Sequence, residues 1–157
     1  MTYNTIKIKK YSDIIEEYKS TAVEITPGMF LELASATTVQ AHSGAGGNIL
    51  QMVALEDELQ GKDIEDNYAV STRVQCWIPG RGDIVYALLK DGETIVAGDF
   101  VESAGDGYVQ KHSADSAGSD SDITSYTNQI IGQAIEAVDM SEASSIDPSD
   151  RIQIRII

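Results

Sequence analysis

Cysteine, histidine, aromatic residues and positive charge are all scarce in this 157-residue chain, and each scarcity removes a class of answer. The single Cys76 excludes any intramolecular disulfide. With only two histidines to join it, no thiolate or imidazole cluster exists for structural zinc. Eleven basic residues against 25 acidic ones give a formal charge of −14 and a sequence pI near 4.3. Nucleic-acid binders draw most of their affinity from Lys and Arg that neutralise phosphates, so the ordinary form of that class is excluded. An anionic membrane surface repels such a chain as well. No apolar run approaches the roughly 18 residues of a membrane span. Lys7, Lys9 and Lys10 lie outside any long apolar stretch, so the start does not read as a signal peptide, and the expectation is a chain that begins near Met1 and is made in cytoplasm. Aromatics make up 6% of residues and Trp77 lies in an apolar run, which supplies a sugar-stacking platform poorly.

What is present is a hydrophobic fraction of 42%, enough for one domain's core. A chain of this size buries roughly 68–70% of its unfolded surface without staples. Residues 1–10 stand apart. Thr5-Ile6-Lys7-Ile8-Lys9 alternates with period two, and the segment holds three lysines and no acid, which predicts an extended basic arm or edge strand. Strand addition on a partner would make Ile6 and Ile8 its anchors, with Lys7 and Lys9 on the other face. Ser12 to Tyr18 reads as a short helical turn, with Ser12 as cap and acids in the first turn.

From Thr21 onward, short β-rich runs alternate with turn chemistry. The runs are 22–26, 29–33, 37–41, 49–55, 68–78, 84–90, 94–97, 100–103 and 108–111. Pro27-Gly28 fits the centre of a type II turn and suggests a hairpin between the first two. Asp91-Gly92 and Gly105-Asp106-Gly107 are further hairpin signals. The acidic stretch 56–63 suits one helical turn ending at Gly61. Residues 129–138 fit a bulged strand, because Gly132 interrupts an apolar run in a β context. Arg151 to Ile156 alternates strictly and predicts a terminal strand with one apolar and one basic or polar face. The fold expected is all-β: a small antiparallel barrel or sandwich over 21–157, preceded by an arm and short turn over 1–20.

Few residues carry the marks of chemistry. The glycine-rich stretch 43–47 lacks the Lys and the following helix of a phosphate-binding loop, and reads as a plain loop. Asp115, Asp120 and Asp122 offer oxygens to Ca²⁺ but lack the EF-hand spacing, so they read as a solvated loop within 112–127. Arg81-Gly82-Asp83 matches the adhesion tripeptide, though a glycine turn before a strand yields the same letters. His42 and His112 sit in polar segments without a nucleophile motif and read as surface residues. Cys76, beside Trp77, reads as a small core or interface residue. No pair of carboxylates stands out for acid–base work. The expectation is a non-enzyme with no catalytic residues, no cofactor and no metal. The competing binding class is a carbohydrate or adhesion module using Tyr108, Tyr126 and the 112–127 segment.

The order of certain segments resembles the head decoration proteins of tailed phages and prophages. The resemblance begins at Ile25-Thr26-Pro27-Gly28-Met29-Phe30-Leu31-Glu32-Leu33, Thr38-Val39-Gln40-Ala41-His42 and Gly46-Gly47. It continues in 54–62 and 83–89 and is strongest at Gly98-Asp99-Phe100-Val101-Glu102-Ser103-Ala104-Gly105-Asp106-Gly107. It closes with 131–139 and the alternating 151–156. The acidic stretch 112–127 departs from the family pattern. The resemblance implies a β-barrel or β-tulip protein that binds the major capsid protein on the outside of an expanded icosahedral head. Such proteins sit as trimers at threefold and quasi-threefold positions and reinforce the shell. It also implies that the N-terminal segment, here Thr5, Ile6, Lys7, Ile8, Lys9 and Lys10, contacts the capsid or a neighbouring subunit. No nucleic acid or membrane partner is implied.

Overall fold

The computed structural model describes residues 4–9, 14–21, 23–114, 126–141 and 150–157. Strand accounts for 44% of the chain and helix for 2%, so the fold class is all-β as expected. In chain order the strands are β1 (Lys7–Lys9), β2 (Ile14–Ser20), β3 (Leu31–Ser35), β4 (Thr38–Ala41) and β5 (Val53–Ala54). After a 3-10 turn at Glu58–Gln60 come β6 (Arg73–Ile78), β7 (Ile84–Leu88), β8 (Thr94–Ile95), β9 (Phe100–Ser103) and β10 (Val109–Lys111). β11 (Ile130–Ala134), β12 (Val138–Asp139) and β13 (Arg151–Ile156) complete the set. A six-stranded sheet runs β1-β7-β13-β11-β9-β10, a five-stranded sheet runs β3-β4-β2-β6-β5, and β12 pairs with β8.

Alternation along β5 and β6 places the core. Val53 and Trp77 face one way and pack with Val85, Ala87, Val101, Ile131, Ile152 and Ile154 of the six-stranded sheet. Their neighbours Ala54 and Cys76 face the other way, into a second cluster with Leu31, Val39, Val74, Ile25 and Tyr68. Where a strand is buried on both faces it loses the polar half of the alternation, which is why Val53-Ala54 and Cys76-Trp77 are apolar at successive positions. The six-stranded sheet also curls. Leu89 bridges Val109, and the Lys90 N–H donates to the Val109 carbonyl at 2.9 Å, so β10 returns toward the end of β7. Among the described residues that closure is one bridge and not a ladder, short of a closed barrel.

The turn chemistry largely acts as expected. The Met29 N–H donates to the Thr26 carbonyl at 3.1 Å with Gly28 at φ +92°, a type II turn. Gly61 caps the 3-10 turn in the left-handed region, and Gly105 to Gly107 joins β9 to its antiparallel neighbour β10. The flanks differ, however. No hairpin spans Pro27-Gly28: Ile25 bridges Tyr68, Phe30 bridges Val53, and the hairpin forms between β3 and β4 through Ala36 and Thr37. Asp91-Gly92 turns the chain without pairing β7 to β8, because β8 pairs with β12. The helical turn expected at 12–18 is overturned by β2, which pairs antiparallel with β6 and parallel with β4; Ser12 lies outside the described residues. β11 is a bulged strand, with its register against β9 shifting between Ile130 and Gly132.

Gly132 is required by close approach, since a Cβ there would lie 2.4 Å from the Arg155 carbonyl oxygen. Gly132→Ala should therefore push β11 off β13 and cost about 1–3 kcal/mol, the usual cost of overpacking. A urea midpoint equal to that of the wild type would refute this.

Candidate functional site

The N-terminal segment is held by the chain itself. Glu56, 3% exposed, accepts from the Ile6 N–H at 3.2 Å and from the Thr5 hydroxyl. The Ile6 carbonyl accepts from the Tyr86 N–H at 2.9 Å, and the Ile6 side chain is fully buried in the larger core cluster. Lys7 pairs with Val85 and Lys9 with Ile84, making β1 the edge of the six-stranded sheet, and Ile8 packs half-buried against the same core. The edge strand is as the alternation predicts. The free arm is not: Ile6 anchors this chain's own sheet and is unavailable to a partner. Lys10 lies outside the described residues.

The glycine-rich stretch 43–47 is a loop pinned from both sides. The Gly46 N–H donates to the Ser103 carbonyl at 2.8 Å. His42, expected at the surface, is 4% exposed; its Nδ1 lies 2.8 Å from the Ser103 hydroxyl and its Nε2 3.0 Å from the Asn48 carbonyl. Glu32 Oε2 lies 3.7 Å from that Nε2, which superficially completes a serine, histidine and acid set. Ser103 is wholly buried and its hydroxyl accepts from the Gly105 N–H, so the group staples the end of β4 to the β9–β10 turn. A nucleophile needs an open face toward substrate, and this one has none.

Arg81-Gly82-Asp83 is a glycine turn leading into β7. Asp83 is fully buried and accepts from the Gly80 N–H at 2.7 Å, while the Gly82 N–H donates to the Ile156 carbonyl at 2.9 Å. The acid a receptor would need is turned into its own loop. Cys76 is buried, and desolvation, aided by the nearby Glu16, pushes its thiol up to about 12, which keeps it protonated and unreactive. Asp115, Asp120 and Asp122 lie outside the described residues. Tyr108 is half-buried and Tyr126 exposed, with no exposed tryptophan beside them.

Two polar centres escaped the sequence reading. Glu102, 4% exposed, accepts from Gln110 at 3.0 Å, Gln129 at 3.1 Å and His112, so His112 belongs to a buried-carboxylate cluster joining β9, β10 and the segment before β11. Arg151, assigned to a polar face, is 2% exposed and donates to the carbonyls of Pro27 and Ile64 at 2.6 and 2.8 Å. Acid–amide and arginine–carbonyl partners so distant in sequence leave no local signal.

Among the described residues two concave features remain, a wide polar depression of about 470 Å³ bordered by Glu17, Lys19, Thr37 and Arg73, and a groove of about 210 Å³ lined by Leu31, Glu32, Leu33, Leu50 and Met52 with His42 and Asn48. Taken together, fold and surface define an all-β protein whose described buried polar groups serve the scaffold and whose described surface offers an edge strand, a polar depression and a shallow groove. No protein-family model matches the chain, and no curated protein matches it in sequence. Among solved structures it is similar in fold to the head fiber gp8.5 N base of bacteriophage phi29. The TM-score is 0.54 at 9% sequence identity, over 93% of this chain and 95% of that one.

Proposed function

We propose that this chain is a structural protein of a tailed-phage head, bound to the outer surface of the expanded shell and stabilising it. The observation that carries the reading is the fold likeness to a phage head fiber base, which spans nearly the whole of both chains. The order of motifs over 21–157 points to the same class. Electrostatics agree with an external position, because packaged DNA is polyanionic and a chain at −14 is better placed away from it. A ligand that binds only the assembled, expanded lattice raises its stability by mass action.

In this reading the protein acts as a trimer at threefold and quasi-threefold positions, by binding and without catalysis or cofactor. Three acidic copies repel one another, so an apolar interface of ~1,200–2,000 Å² must offset the repulsion. The major capsid protein is the partner, and the basic stretch Lys7 to Lys10 makes the contact, with Ile6 excluded because the chain's own core holds it. Multivalent attachment of three such segments strengthens a weak single contact.

Light scattering on the purified protein, followed by co-sedimentation with expanded empty heads of the parent phage, tests this. The expected result is three times 16.9 kDa in solution and saturable pelleting with heads. A protein that stays in the supernatant with heads present would refute the proposal.

A further inference from the structure

β3 is the terminal strand of the five-stranded sheet, and among the described residues its outer edge is occupied only at its start. Phe30 bridges Val53, and the Leu31 N–H donates to the Met52 carbonyl at 2.8 Å. Beyond that bond the two segments part, and among the described residues no further backbone hydrogen bond joins β3 to 48–51. The groove opens between them. Its floor is Leu31 and Met52, both buried, and its flanks are Leu33 and Leu50, 52% and 61% exposed. Because the Leu31 N–H points away from β4, the period of two along a strand aims the Leu33 N–H and carbonyl the same way, into the opening. Single exposed leucines on a surface need no explanation. Two that line one groove beside an unpaired strand edge offer an apolar seat.

The chemistry of the rim narrows the occupant. Glu32 accepts from Gln40 and Ser43, each at 2.7 Å, yet its side chain stays 28% exposed. Burial alone would raise its pKa, but the bonds from Ser43 and Gln40, with His42 nearby, outweigh burial and hold it below the ordinary carboxylate value. At about 210 Å³ the groove is smaller than the ~300–1,000 Å³ typical of small-molecule sites, which favours a single side chain over a cofactor or sugar. An anionic partner would meet both Glu32 and a chain at −14.

We infer that this groove is a strand-addition site for an extended cationic peptide segment of a partner protein. The segment pairs with the open edge of β3 at Leu33, seats one apolar side chain between Leu33 and Leu50, and sets a Lys or Arg against Glu32. Backbone bonds supply affinity and the apolar seat supplies register. The inference stands apart from the head-protein reading, since it rests on the edge, the groove and the charge alone.

The test is an NMR titration of the labelled full chain with a synthetic peptide of alternating Lys and Val. Saturable amide shifts are expected at 31–35 and 48–52, weakening with salt as the Glu32 contact is screened. A Glu and Val peptide, a Lys and Ser peptide, and the exposed-site variant Leu50→Glu should each bind about tenfold or more weakly, the loss of one charge-assisted contact or apolar seat. Glu32→Gln should weaken binding and reduce its salt dependence, the remainder coming from the chain's overall charge of −14. Absence of saturable binding, shifts centred elsewhere, or equal binding by the Lys and Ser peptide overturns the inference. So does unchanged affinity in Leu50→Glu with a wild-type melting temperature.

Discussion

Ile6→Ala should lower the stability of the isolated protein by about 2–5 kcal/mol, the range for truncating a fully buried isoleucine. In a chain of this length each kcal/mol corresponds to about 2–4 °C in melting temperature, so the shift is large enough for a simple thermal scan. The reason lies in where the N-terminal segment sits. Ile6 is fully buried among residues of the six-stranded sheet, and its carbonyl and N–H are both engaged, by Tyr86 and Glu56. Deleting 1–10 should do worse than the point substitution. It removes the side chain and also leaves the Glu56 carboxylate, 3% exposed, without the Ile6 and Thr5 donors. A buried acceptor that loses its donors costs about 1–3 kcal/mol, more for a charged group. The alternating basic segment suggests an arm that precedes the domain, whereas Ile6 lies inside the domain's own core. A truncated chain that melts at the wild-type temperature would show that the segment is dispensable after all.

This segment shows where a sequence stops being informative. The period-two alternation of Thr5 to Lys9 correctly predicts an extended edge strand, because alternation is a property of neighbours. Which sheet receives the strand depends on Glu56, Val85 and Tyr86, some 50 to 80 positions away, and nothing in residues 1–10 encodes that choice. The type II turn at Pro27-Gly28 and the left-handed cap at Gly61 were legible for the converse reason: each is set by one or two residues. Ser12 to Tyr18 reads as a helical turn from a cap residue and early acids, yet β2 pairs along its length with β6, Ile14 opposite Ile78 through Lys19 opposite Arg73. An isolated turn of helix is unstable on its own, so a ladder of that length prevails.

The candidate sites divide along the same line. The glycine turn at Arg81-Gly82-Asp83 was legible from its letters, but the burial of Asp83 follows from the closing of the 79–83 turn onto the end of β13. His42 and His112 looked solvated because their sequence neighbours are polar, whereas their partners Ser103 and Glu102 both arrive from β9. The groove beside β3 was invisible because it is made by divergence, where β3 and the segment before β5 cease to pair. Divergence of two segments leaves no trace in the composition of either.

Arg151→Ala should produce the second large loss, about 2–4 kcal/mol, from two buried carbonyls left without donors at about 1–3 kcal/mol each, less the desolvation relieved. Strict alternation in 151–156 places Arg151 on the polar face with Gln153 and Arg155, and Arg155 is indeed exposed. Arg151 is instead 2% exposed, because the Pro27-Gly28 turn and the 64–65 segment fold over the start of β13. Its guanidinium bonds the Pro27 carbonyl from 124 positions away and the Ile64 carbonyl from 87. A Cβ on residue 28 would lie 2.3 Å from Nη1, so the same contact that needs Arg151 also demands glycine in the turn. Burial lowers the pKa of the guanidinium, with Glu65 the foremost opposing influence, yet an arginine stays charged at any working pH. Glu65 contributes little as an ion pair: it is 3.9 Å away and half exposed, and Glu65→Ala should cost no more than about 1 kcal/mol. Arg151→Lys should recover part of the loss at most, since an ammonium lacks the planar fork that serves two carbonyls at once. The three variants separate the two explanations. If Glu65→Ala proved as costly as Arg151→Ala in denaturant unfolding, the ion pair would be the working interaction. If the arginine variant alone is costly, carbonyl bonding holds the first turn, the 64–65 segment and the last strand together.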